Sequence, residues 1–140
     1  MVCDDRIHRV NAAIFDLDDT LIYNPVFIDL DYFYDHVLDG IPIPWCMDLI
    51  ESLHKSGMKI IFITARDEKC RHHTTFQLSN WFGFPYELYM RRRDDLRDDY
   101  IIKEEYLLEL MERYNIVLAV DDNLRNCEMY RKYVPTLHVL

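Results

Sequence analysis

The sequence predicts a three-layer α/β domain built on a mainly parallel sheet. Short apolar runs rich in branched residues alternate with amphipathic stretches along the chain. Polar, acid-rich clusters directly follow several of those runs, where ligands of such sheets bind. The chain has 140 residues, half of them hydrophobic, enough for one core and too few for two. At that length roughly 70% of the unfolded surface is buried. With 14% aromatic residues and only 3 Gly and 5 Pro, disorder and loop-dominated scaffolds are disfavoured. Residues 1–140 therefore read as one domain without repeats, linkers or low-complexity segments.

Residues 10–15 form the first expected strand, ending in Asp16-Leu17-Asp18-Asp19-Thr20. Residues 22–42 then remain for a small flap containing Phe27, Tyr32, Phe33 and Tyr34. Residues 44–57 read as an amphipathic helix, with Pro44 in its first turn, Trp45, Leu49, Ile50 and Leu53 on the apolar side, and Gly57 at the exit. A second buried strand covers residues 58–63, directly followed by Thr64 and Arg66. Residues 68–81 are expected to be helical and residues 86–90 to form a short strand. Residues 98–114 carry helical spacing at Ile101, Ile102, Leu107, Leu108 and Met111, with Asp98 or Asp99 as the cap. Residues 116–120 are strand-like and end in Asp121-Asp122-Asn123; a helix over 124–133 and a last strand over 136–140 follow.

The formal net charge of −9 opposes non-specific gripping of a nucleic-acid backbone. Arg91-Arg92-Arg93, with Arg97 close behind, is the one basic concentration; Asp94-Asp95 follows it, and by charge pattern it reads as a solvated loop. The N-terminal residues 1–6 are acidic and polar, unlike a signal peptide, and no apolar run approaches membrane-spanning length. A cytoplasmic protein without a membrane partner is expected. Cys3, Cys46, Cys70 and Cys127 are scattered with no Cys-x-x-Cys pair, which points to reduced, mostly structural thiols.

Alternate residues of an extended segment share a side, so the carboxylates of Asp16 and Asp18 are expected to converge on one reacting group and one hard cation. Asp16/Asp18, Thr64/Arg66 and Asp121/Asp122 each follow an apolar strand, so three separate pieces of chain should meet at one crevice. Blander readings exist for each piece. Residues 16–20 suit an ordinary turn with Thr20 as a helix cap. Lys103, beside Glu104 and Glu105, suits a solvated helix face. Asp121 and Asp122 could end a strand, but two carboxylates there are costly without a cation or basic partner.

In order along the chain, Asp16-Leu17-Asp18-Asp19-Thr20, Ile63-Thr64-Ala65-Arg66, Lys103 and Asp121-Asp122 resemble the four motifs of the haloacid dehalogenase (HAD) superfamily of phosphohydrolases. The likeness covers nearly the whole chain. Residues 90–105, Val120-Asp121-Asp122-Asn123 and Glu128-Met129-Tyr130-Arg131 look most like the 3′-phosphatase domain of bacteriophage polynucleotide kinase-phosphatase. The sequence departs from that relative at Asn123, where the phage domain has a basic residue, and in having no Arg between Leu21 and Lys55. With no GxxxxGK[ST] motif, a kinase half is not expected and the chain reads as a stand-alone phosphatase.

The resemblance implies a Rossmann-like HAD fold without a large cap domain. It also implies a Mg²⁺-dependent phosphomonoesterase that works through an aspartyl-phosphate. Asp16 is then the nucleophile, since an acyl-phosphate splits hydrolysis into two easier steps. Asp18 supplies a proton to the leaving oxygen and later activates water. Asp16 and Asp121 ligate the metal directly, Asp18 through its backbone carbonyl, and Asp122 directly or through water. Thr64, Arg66 and Lys103 contact phosphate or substrate, and Asp99 orients a basic neighbour.

With residues 21–63 and 65–102 consumed mainly by core elements, the crevice should be open. It suits an exposed phosphate on a large molecule, such as a 3′-phosphorylated DNA or RNA end, unless another subunit of an oligomer closes it. The acidic charge and the missing arginine favour a nucleotide or small phosphorylated metabolite instead. A non-catalytic binding module is the reading from a different class.

Overall fold

The computed structural model describes residues 9–139. Cys3, the acidic N-terminal segment and the expected end of the last strand at Leu140 lie outside the described residues. Five parallel strands form the main sheet: β1 (Asn11–Phe15), β4 (Lys59–Asp67), β5 (Glu87–Arg91), β6 (Asn115–Asp121) and β7 (Thr136–His138), in spatial order β5-β4-β1-β6-β7. The remaining strands, β2 (Ile22–Tyr23) and β3 (Ile41–Pro42), pair antiparallel outside that sheet at the base of the flap. Helix α1 (Leu30–Asp35) and a 3₁₀ turn at Val37–Asp39 fill the flap between them. Among the described residues the flap is the one insertion between β1 and α2, and it is small.

Helices cover both faces: α2 (Pro44–Lys55) and α3 (Arg71–Trp81) on one, α4 (Asp99–Met111) and α5 (Leu124–Arg131) on the other. The twofold alternation of a strand divides β1 between them. Ala13 and Phe15 join Ile60, Phe62, Val120, Cys46, Ile50 and Leu78, while Ala12 and Ile14 join Ile61, Ile63, Ala119, Leu107, Leu110, Met129 and Tyr130. Both sides of β1 are therefore apolar, as a buried parallel strand requires. Each fully buried Ile or Phe contributes roughly 1.5–3 kcal/mol relative to exposure.

The helix bounds match the expected ones to within a few residues, but two apolar faces differ. In α2 the buried residues are Cys46 and Ile50, while Trp45 is 43% exposed. In α4 Leu108 is exposed and its place is taken by Lys103, which lies with Leu107 and Leu110 at i, i+4 and i+7 on the buried face. Helix α2 is terminated by Ser56 and Gly57, the latter with a φ of 93° that only glycine adopts without strain. Cys46, Cys70 and Cys127 are free thiols in the core. Among the described residues no helix is long and apolar enough to cross a membrane.

Candidate active site

The carboxyl ends of β1, β4 and β6 lie side by side at the middle of the sheet, where the strand order changes direction. Asp16 continues β1, its N–H donating to the Val120 carbonyl at 3.0 Å. The chain then turns sharply: Asp19 takes a φ of 65°, and the Leu17 carbonyl accepts from the N–H groups of Thr20, Leu21 and Ile22. An Asp tolerates this left-handed conformation better than most side chains. The turn draws Thr20 inward to full burial. Its hydroxyl lies 3.3 Å from Asp16 Oδ2 and 3.1 Å from Asp122 Oδ1, so Thr20 bridges the first and last motifs and caps no helix.

Asp121 ends β6 with no exposed surface. Lys103, 1% exposed, donates through Nζ to Asp16 Oδ1 at 2.9 Å and to Asp121 Oδ2 at 2.7 Å. The solvated-face reading of Lys103 is therefore wrong: the 103/107/110 spacing turns it inward, where two carboxylates receive it. Burial pushes the Asp16 carboxyl well above its ordinary range; Lys103 opposes this and Asp121 adds to it. Burial also works against the Lys103 ammonium, but Asp16 and Asp121 outweigh it and hold the group well above the usual lysine value.

Ligand atoms of Asp16, Asp121 and Asp122 all lie within 4.8 Å of one another. Asn126 reaches Asp121 Oδ2 through Nδ2 at 3.3 Å, and its own Oδ1 is buried without a partner. Three clustered carboxylates, two of them reached by the one ammonium, form an all-oxygen, negatively charged donor set. That set fits a hard divalent cation such as Mg²⁺ and offers no soft ligand for zinc.

The carboxylate of Asp18 does not join this cluster. Arg66 takes it instead, Nε donating to Oδ2 at 2.9 Å and Nη2 to Oδ1 at 2.8 Å, while Asn24 Nδ2 donates to Oδ1 at 2.9 Å. Side chains in a sharp turn do not keep the alternation of a strand, so Asp16 and Asp18 diverge. Arg66 also departs from expectation. It is 2% exposed and points at Asp18, with Thr74 and Gln77 beside it, so its donors face protein partners rather than open solvent.

Thr64 and Arg66 lie within β4 rather than after it. Between the pairs Ile63–Tyr89 and Asp67–Arg91, β4 has two more residues than β5, and this bulge carries both side chains. The Thr64 hydroxyl is buried and accepts from the Arg66 N–H at 3.1 Å. Arg91, read as part of a solvated loop, is instead half-buried. It donates to the carbonyls of Ala65, Asp95 and Arg97 and pairs with Asp99, which organises the loop before α4. Arg92 and Arg93 are exposed, and Arg97 pairs with Asp95 and Glu105.

A cleft of about 560 Å³ is lined by Asp18 and Arg66, by Leu30 and Phe33 of the flap and by Leu96 and Arg97 of the β5–α4 loop. Sequence reasoning missed Asn24, Thr74 and Gln77 as partners of this assembly. Only their fold-dependent proximity identifies them, since their sequence spacing carries no motif. Thr20 was legible as part of DxDxT, but its bridging role was not.

The family model for the polynucleotide kinase PNKP phosphatase domain matches residues 10–139. The chain belongs to this family. Similar solved structures agree with this HAD-type phosphatase domain. The structure of the Pnkp1/Rnl/Hen1 RNA repair complex contains a chain that is 25% identical, with a TM-score of 0.86 over 99% of the phosphatase domain and 45% of that chain. A second structure of the Pnkp1/Rnl/Hen1 complex gives 26% identity and a TM-score of 0.83 over 92% and 45%. The phosphatase domain thus spans less than half the length of these relatives. The class C acid phosphatase from Bacillus anthracis shares the fold, with a TM-score of 0.68 at 19% identity over 84% of this chain and 53% of that one. No curated protein matches the chain.

Proposed function

We propose that this phosphatase domain removes phosphate from 3′-phosphorylated polynucleotide ends through an aspartyl-phosphate on Asp16, with Mg²⁺ as cofactor. The observation that carries the reading is the buried assembly of Asp16, Lys103 and Asp121 at the carboxyl ends of β1 and β6, with Asp18, two residues further along the chain, lining the cleft. One oxygen of Asp16 is held by the ammonium and the other faces Thr20, which fixes the nucleophile for attack. Asp16, Asp121 and Asp122 would hold the metal through their carboxylates and Asp18 through its backbone carbonyl. When bound, the ion supplies charge neutralisation where a dianionic phosphate meets clustered acids.

Asp16 attacks phosphorus while the bond to the leaving oxygen breaks. Asp18, which lines the cleft, gives that oxygen a proton and then takes one from water as the acyl-phosphate is hydrolysed. Lys103 balances charge on Asp16 and Asp121 throughout, and the Thr64 hydroxyl is available to a phosphate oxygen. Arg66 serves by holding Asp18. Residues 1–140 act as one phosphatase domain with a small flap at 22–42.

Family membership and the open cleft between small flap and loop favour a macromolecular end over a small metabolite. The likeness to a chain of an RNA repair complex favours RNA ends among them. One observation supports a nucleotide or small phosphorylated metabolite instead: five carboxylates, Asp18, Asp67, Asp95, Asp98 and Asp99, line the cleft against Arg66, Arg91 and Arg97, and this balance disfavours further phosphates. Phosphate release in Mg²⁺ from 3′-phosphorylated oligonucleotides and from nucleoside monophosphates decides between them. Higher kcat/KM on the oligonucleotide is expected, and equal or lower values would overturn the polynucleotide assignment.

A further inference from the structure

We infer that Thr74 and Gln77 are positioning residues for the leaving-group acid, acting through Arg66, and that Gln77 ties the flap into the same assembly. The inference rests on the acid role proposed for Asp18. A guanidinium has five N–H donors, and four of them here have protein partners. Nε and Nη2 take the two oxygens of Asp18, while Nη1 donates to Thr74 Oγ1 at 3.0 Å and to Gln77 Oε1 at 2.9 Å. Thr74 and Gln77 sit three residues apart on one face of α3 and are 0% and 4% exposed. The Phe33 ring lies 5.4 Å from the guanidinium carbon. The plane of the guanidinium is thereby fixed by groups outside the reacting centre.

That plane decides where Asp18 can carry its proton. A carboxylate offers about four lone-pair sites. Oδ1 accepts from Arg66 Nη2 and Asn24 Nδ2, and Oδ2 accepts from Arg66 Nε, which leaves the one free site on Oδ2. In the first step the bond from phosphorus to the leaving oxygen breaks, the bond from phosphorus to the Asp16 carboxylate forms, and the proton passes from Asp18 Oδ2 to the leaving oxygen. Rotating the guanidinium redirects that site. Gln77 also donates through Nε2 to the Val37 carbonyl at 2.5 Å, so one buried amide registers the flap's 3₁₀ turn against the arginine that orients the acid.

A buried arginine needs acceptors in any protein, so the test must read more than stability. Loss of acid positioning is felt by a leaving group that requires a proton and not by one that departs as a stable anion. The substrates are an alkyl phosphomonoester and p-nitrophenyl phosphate, compared by kcat/KM, which reports steps up to formation of the acyl-phosphate. Thr74→Val and Gln77→Leu should each lower kcat/KM for the alkyl ester about tenfold, a part of the hundredfold or more that a general acid supplies. The same variants should stay within about twofold on p-nitrophenyl phosphate, and Thr74→Ser should restore the alkyl rate. Asp18→Asn should show the same selectivity more strongly. Equal losses on both substrates, or no loss, in Thr74→Val while Asp18→Asn remains selective would overturn the positioning role alone. If Asp18→Asn is itself unselective, the acid role fails and the inference falls with it.

Discussion

Lys103→Met removes a charge from the centre of the site while keeping most of the volume. The lysine makes two buried contacts, 2.9 Å to Asp16 and 2.7 Å to Asp121. At an effective dielectric of about 20, each is worth roughly 6 kcal/mol of gross attraction, much of it offset by the desolvation of three charges. The methionine variant gains little from removing that desolvation cost, because the two carboxylates stay buried and now face each other uncompensated. Removing one partner of such a pair costs about 3–5 kcal/mol, comparable with the whole stability of a marginal domain. Urea unfolding in the presence of a chelator should show a midpoint lowered by an amount on the order of 2 M. Adding Asp121→Asn to Lys103→Met should recover part of the loss, since the uncompensated charge goes with it. A cost below about 1 kcal/mol, or strictly additive losses in the double variant, would refute the reasoning.

Chelation should abolish phosphate release without unfolding the protein, and Mg²⁺ should restore it. The added ion should also raise the unfolding free energy by mass action, about 2.7 kcal/mol at a hundred times its dissociation constant; the same increase in Asp121→Asn would argue against the carboxylate site. Away from the site, burial works against ionisation of Glu87, but hydrogen bonds from Tyr114, Tyr89 and Arg113 outweigh it and hold this carboxyl below its ordinary value of 4.5. A depressed folded-state pKa gives stability that is present above the unfolded value and is lost as pH falls through the folded one. Urea midpoints measured from about pH 6 down to 3 should fall less steeply in Glu87→Gln than in the native sequence, and parallel acid limbs would exclude this contribution.

The sheet was legible because its strands are apolar on both faces: runs such as Ile60-Ile61-Phe62-Ile63 need no knowledge of their neighbours to be recognised as buried. The helices were legible through Pro44, Gly57 and their apolar spacing. Trp45 and Leu108 were misplaced because periodicity alone does not say which edge of an apolar stripe meets the sheet. The same ambiguity hid the inward face of Lys103. At the site, Asp16, Asp121 and Asp122 converge as their positions suggest, while Asp18 does not, because β1 ends at Phe15 and the strand alternation on which its direction was argued does not continue through the turn, where Arg66 receives its carboxylate. That Arg66 comes close to the first motif was legible, but its pairing with Asp18 was not. Asn24 follows β2 while Thr74 and Gln77 share α3, and the three acquire meaning only when α3 and the flap pack around the bulged end of β4.

The central claim is that Asp16 becomes covalently phosphorylated during turnover. Acid quenching in the pre-steady state, followed by peptide mapping, should place an acyl-phosphate on Asp16, absent from Asp16→Asn and accumulating from p-nitrophenyl phosphate, whose leaving group needs no proton, when Asp18 is replaced and water activation is slowed. A phosphoryl group on another side chain, or full phosphate release with no protein-bound phosphoryl group at any time, would contradict it.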